Sequence, residues 1–152
     1  LHPQQLKWLN FNNSIAYIKG VKNASASTAQ EYLPLIPPLH ARSEIKATIN
    51  NFYIKAAADM YATQNRFYAT DDTETATPGY SLFSLGSGVT VKNKADKTVF
   101  DLSVMADNIF DKAYQSHLNR LKYFEYYQSS PNGRYGIYNM GRNISFRLTV
   151  PF

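Results

Sequence analysis

The chain of 152 residues contains no cysteine. Disulfide frameworks, thiolate metal sites and cysteine nucleophiles are therefore excluded. It also lacks any apolar run near the roughly 18 residues of a membrane-spanning helix, which excludes a helical membrane protein. That absence does not touch a β-barrel, whose strands need only about 9–11 residues with every second one apolar. A mean hydropathy of −0.38 suits a barrel or a soluble protein equally. Tryptophan occurs once, beside 12 Tyr and 9 Phe. Tyrosine joins an apolar body to a polar tip, which fits a membrane–water boundary or a binding loop, and equally fits plain β-structure. The net charge of +5 admits an acidic lipid, an anionic ligand or nucleic acid. The basic residues are scattered among strands and not gathered on one helix, so no nucleic acid is expected as a partner.

Catalytic patterns are missing as well. His2, His40 and His117 stand apart in sequence, with no HExxH spacing, and no serine sits in a GxSxG elbow. Asp71-Asp72-Thr73-Glu74 could hold a hard cation but lacks the spacing of an EF-hand loop, and reads as a solvated loop tip. Neither an enzyme nor a cofactor is expected. The chain begins at Leu1 without a leader-like stretch, so a fragment or processed product is expected.

What the sequence has is period two. Leu39, Ala41, Ser43, Ile45, Ala47 and Ile49 alternate with His40, Arg42, Glu44, Lys46 and Thr48. Successive strand side chains point to opposite faces, so this is a strand with one apolar and one charged face. From Phe52 to Gln64 the pattern repeats with its parity reversed across Asn50-Asn51, and asparagine tolerates the positive φ of a tight hairpin. A second hairpin joins Ser81–Val91 to Phe100–Asp107 through the short polar stretch Lys92–Lys97. Leu9 to Tyr17 and Ile144 to Phe152 alternate in the same way. Gly86 and Gly88 fall on a polar face, where they could leave room for another element or permit coiling.

The expected fold is all-β: an antiparallel up-and-down meander of about six strands. Short links near Asn50 and Ala95 alternate with long ones over Lys22–Pro38, Asn65–Gly79 and Lys112–Asn139. In a meander, alternate connections share an end, so all three long loops gather at one rim. That asymmetry is the one shown by outer-membrane barrels.

Three signatures then resemble TonB-dependent outer-membrane receptors. Leu35-Ile36-Pro37-Pro38-Leu39-His40-Ala41-Arg42 is similar to that family's "IPPHR" approach to a late strand. Ala106-Asp107-Asn108-Ile109-Phe110-Asp111-Lys112-Ala113-Tyr114 resembles its "NLFDKxY" segment near the end of the penultimate strand, with Ile for Leu. Gly141-Arg142-Asn143 opens the final alternating strand. The resemblance covers about Leu35 to Phe152. It implies that residues 1–152 are the C-terminal part of a large transmembrane β-barrel of about 22 strands, without the family's plug and TonB box. It also implies that Phe146, Leu148, Val150 and Phe152 form the membrane insertion signal read by the barrel insertion machinery.

The implied function is TonB-dependent uptake of a scarce nutrient, such as an iron-siderophore or similar metal chelate, in the bacterial outer membrane. The partners would be outer-membrane lipid, the TonB complex through the missing N-terminal part, and the small-molecule metal chelate. The loop Lys112–Tyr138 mixes cations and aromatics: His117, Arg120, Lys122, Tyr123, Phe124, Tyr126, Tyr127, Arg134 and Tyr135. Arginine supplies charge, tyrosine supplies stacking and hydrogen bonds, and together they suit an anionic or aromatic chelate. An ordinary aromatic-rich surface loop would look the same. The alternatives are a porin or adhesin barrel, and a soluble ligand-binding β-barrel that buries its apolar strand faces.

Overall fold

The computed structural model describes residues 6–23, 31–69, 74–123 and 136–151. In chain order the strands are β1 (Leu9–Ala16), β2 (Val21–Lys22), β3 (Glu31–Tyr32), β4 (His40–Ile49), β5 (Phe52–Tyr61), β6 (Tyr80–Lys92), β7 (Thr98–Asp107) and β8 (Asn143–Thr149). Six of them form one antiparallel meander in the order β1-β4-β5-β6-β7-β8. The expected all-β meander is present. The two-residue strands β2 and β3 make a small separate hairpin inside the first long connection, which alternation could not reveal.

The hairpin turns follow the expected chemistry. Ile49 pairs with Phe52 across Asn50-Asn51, and Asn50 takes φ 52°. Between β6 and β7, Asn93 closes a tight loop. Its carbonyl accepts from Asp96 N–H at 3.0 Å, and its side-chain oxygen accepts from Ala95 and Lys97 N–H at 2.9 and 3.0 Å. Asp96 takes φ 60°, the left-handed position that accompanies a register shift beside such a turn.

Register assembles the apolar residues into rows. Ile45, Ala56, Leu85, Ala106 and Ile144 lie side by side across five strands, and Ala47, Ile54, Ser87, Val104 and Phe146 form the next row. These rows are the exposed side of the sheet: Ile54 is 53% exposed, Leu85 46% and Phe146 77%. The polar face is the sheltered one, where Ala57 is 6% and Ser84 8% exposed. Ala57 is the single buried hydrophobic residue among those described. A water-soluble sandwich or barrel hides its apolar faces; this sheet displays them.

On the polar face, Arg42 binds Asp59 at 2.5 Å and Glu44 at 3.2 Å, while His40 meets the other Asp59 oxygen at 3.0 Å. Lys46 stands over the Tyr53 ring. The space over Gly86 and Gly88 is filled from within the sheet. A Cβ at Gly88 would lie 2.5 Å from the Tyr53 ring, and one at Gly86 would lie 2.6 Å from Met105 Sδ and 2.9 Å from Lys55 Cε. These glycines make room for neighbouring side chains.

Candidate functional site

All three long connections emerge at one end of the sheet, and their described parts pack into one polar cluster. The segment after β5 leaves the strand at Tyr61, three residues before the Gln64 expected to end it. Gln64 instead exchanges backbone hydrogen bonds with Thr77, and its side-chain amide donates to the Ile36 carbonyl at 2.8 Å. This ties the stretch before Pro37-Pro38 to the β5–β6 connection.

Glu74 corrects an expectation. The acidic run 71–74 was expected as a solvated tip, yet Glu74 is 4% exposed. Its carboxylate accepts from Leu35 N–H at 2.6 Å and Tyr68 N–H at 3.0 Å, and such bonds to a charged acceptor offset the cost of burying it. Residues 71–73 lie outside the described part.

Behind Glu74 sit His117 and Lys122, both buried. The Lys122 ammonium can only donate, and does so to Thr77 Oγ1 at 2.6 Å and the Thr75 carbonyl at 3.2 Å. The same Thr77 hydroxyl lies 2.8 Å from His117 Nδ1, joining the imidazole to the ammonium through one shared oxygen. Nε2 is buried without a hydrogen-bond partner among the described residues, 3.9 Å from Glu74 Oε2. Burial holds the His117 pKa below the usual imidazole value; the neighbouring Lys122 adds to the effect and Glu74 opposes it. The Tyr123 hydroxyl accepts from Thr75 N–H at 2.9 Å.

The structure therefore places the proposed ligand contacts in different settings. His117 and Lys122 are internal struts between loops, Tyr123 is half-buried against one, and Arg120 is exposed. Tyr126, Tyr127, Arg134 and Tyr135 lie outside the described residues, as does Phe124. Of the C-terminal aromatic and apolar set, Phe146 and Leu148 face outward on β8, Val150 follows the strand and is exposed, and Phe152 is outside the described part.

Two of the sequence signatures meet in space. Asn108, at φ 49° and buried, closes the turn after β7: its side chain donates to the Lys112 carbonyl at 3.0 Å and accepts from Lys112 N–H at 2.9 Å. That turn presents Asp111, whose Oδ1 accepts from Arg142 N–H at 2.8 Å. A Cβ at position 141 would stand 2.5 Å from the same oxygen, so Gly141 is what lets the start of β8 approach.

One feature was not expected from the sequence. Four rings form a continuous row at the loop end of the polar face. His40 and Tyr61 stack at 4.3 Å, Tyr61 and Tyr80 at 4.6 Å, and Tyr80 and Tyr114 tilt at 4.6 Å. Strand register makes His40, Tyr61 and Tyr80 direct neighbours, but their positions 40, 61, 80 and 114 give no local hint of it. Among the described residues no group of three or more His, Asp or Glu side chains is arranged to hold a metal ion.

With this geometry in hand, the chain can be set beside known proteins. No protein-family model and no curated protein sequence matches it. Among solved structures it superposes on the copper transporter OprC with a TM-score of 0.73 at 23% identity, over 95% of this chain. The likeness is one of fold. The chain spans 21% of the length of that transporter.

Proposed function

We propose that this chain is wall and loop of a bacterial outer-membrane receptor for TonB-dependent uptake of a scarce nutrient, with an iron-siderophore or similar metal chelate as solute. The observation that carries the reading is the inverted sheet: apolar rows outward, ion pairs and hydroxyls inward, and three long loops knotted together at one rim. Lipid is the medium in which such a sheet gains by exposing Ile54, Leu85 and Phe146. The two edge strands would have to pair with further strands, because unpaired backbone groups in hydrocarbon are costly. The three sequence signatures and the fold shared with a transporter favour a receptor over a passive barrel. No reaction is assigned to it.

In this reading the ring row from His40 to Tyr114 and the exposed Arg120 face the vestibule, with Tyr126, Tyr127, Arg134 and Tyr135 as further contacts. His117 and Lys122 act by holding the loops that present them. The test is uptake of a radiolabelled ferric siderophore by cells carrying the full-length protein, with and without functional TonB. TonB-dependent uptake that is lost on deleting residues 112–138 supports the reading. Uptake unaffected by removing TonB would assign a passive barrel instead.

A further inference from the structure

At the loop end of β1, a cleft of ≈ 240 Å³ opens between the chain leaving β1, the residues before β4 and the residues after β5. Its lining includes Tyr17, Lys19, Tyr32, Ile36, Leu39 and Arg66, and its described lining carries no carboxylate. Arg66 donates from Nη1 to the Tyr17 hydroxyl at 2.7 Å, the one side-chain bond it makes among the described residues. Lys19 and Arg66 are both exposed, and no described carboxylate pairs with either. Two cations without a carboxylate partner among the described residues, with a tyrosine hydroxyl between loops, make an anion-binding corner.

The position of the corner indicates which anion. Ile15 pairs with Ala41 on the outward face, and Tyr17 and Leu39 continue that parity toward the loops. Ile15 is 74% exposed and Leu39 39%. The cationic cleft thus begins where the outward apolar face ends. A free anion would use Arg66 and Lys19 but leave Ile15 and Leu39 idle, whereas an amphiphile with a phosphate head and acyl chains engages both. Arginine suits phosphate through its planar fork, and lysine as a point charge.

We propose that this cleft binds the phosphorylated headgroup of an outer-leaflet glycolipid, with an acyl chain lying along Ile15 and Leu39. The proposal rests on the membrane reading above. It concerns the lipid surroundings of the wall and not the transported solute.

The test uses the full-length protein in bilayer nanodiscs. Retention of bisphosphorylated lipid A is measured by native mass spectrometry, with dephosphorylated lipid A and inorganic phosphate as comparison probes. The double variant Lys19→Gln with Arg66→Gln should retain lipid A about tenfold less well, the scale of a lost charge-assisted contact. Wild-type protein should hold the dephosphorylated lipid as weakly. Tyr17→Phe, which removes only the hydroxyl that orients Arg66, should show a smaller loss and serves if the double variant does not fold. Equal retention by wild type and variants in an inserted protein overturns this proposal alone. Displacement by inorganic phosphate as effective as by the lipid would make the cleft a soluble-anion site and overturn it too. A full-length chain that does not enter the bilayer would overturn the membrane reading together with it.

Discussion

In the strands, the side chains left outside are Ile54, Leu85 and Phe146, and the one buried hydrophobic residue described is Ala57. At the loop rim, by contrast, the side chains taken out of water include Gln64, Glu74, Thr77, Asn108, His117 and Lys122. The first region coheres through backbone ladders and depends on its surroundings to cover its apolar face. The second coheres through a polar network in which each buried group meets a specific partner among the described residues, apart from His117 Nε2. The difference teaches where each region is vulnerable. A sheet of this kind is sensitive to what it touches outside, whereas a buried polar cluster is sensitive to the loss of any one member.

The largest effect should come from charging the outward face. Leu85→Arg, in the middle row, should destabilise the full-length protein in lipid vesicles by about 2–4 kcal/mol in urea unfolding. Leu82→Lys, one face over and opposite Asp59 in register, should cost about 1 kcal/mol or less. Equal costs at the two sites would erase the distinction between the faces.

The network's weakest point is next. Glu74→Ala removes the acceptor of the part-buried N–H groups of Leu35 and Tyr68, at about 1 kcal/mol or more for each charge-assisted bond lost. Hydrogen exchange should quicken at Leu35, Tyr68 and 116–123 while the ladders of β5 and β6 stay protected. Exchange rising equally in those ladders would mean that the loops and the sheet open as one unit.

A smaller, pH-dependent effect follows from His117. Its pKa is lowered in the folded loops, so the opened state binds more protons once the pH falls below the ordinary imidazole value of 6.5. The loop cluster should therefore loosen as the pH drops below that value, with a slope of up to about 1.4 kcal/mol per pH unit, and should level off below the folded-state pKa. After correction for intrinsic exchange, residues 112–123 should be better protected at neutral pH than under mild acid. His117→Gln should flatten the profile; an unchanged profile would place the titrating group elsewhere.

The mildest change is Gly141→Ala. The added methyl displaces Asp111 from Arg142 N–H, at a cost of about 1 kcal/mol for one hydrogen bond, and should free the start of β8 without disturbing the Glu74 cluster. Faster exchange confined to 142–145 would bear that out, whereas wild-type protection there would show that Asp111 is not what holds the strand.

The strands were legible because alternation is a local property. From Leu39 to Ile49, and from Ser81 to Val91, every second residue states its face, and Asn50-Asn51 marks the reversal. The loops were not legible for the opposite reason. Glu74 sits in a run that looks solvated, but the groups that justify burying it include Leu35, 39 positions away. His117 and Lys122 look like exposed ligand contacts in an aromatic loop, and their partner Thr77 is 40 and 45 positions distant. Arg120 in the same loop is exposed.

The sequence by itself determined the places of the six long strands, the short turns, the collection of long loops at one rim and the division of each of those strands into an apolar and a polar face. These follow from side-chain periodicity and turn chemistry, which act over a few residues. Only the tertiary structure decided that the apolar face is the exposed one, that His40, Tyr61, Tyr80 and Tyr114 form one row, and that Asp111 secures the chain beside Gly141. Those outcomes depend on register and on contacts between residues far apart in the chain, which no local pattern encodes.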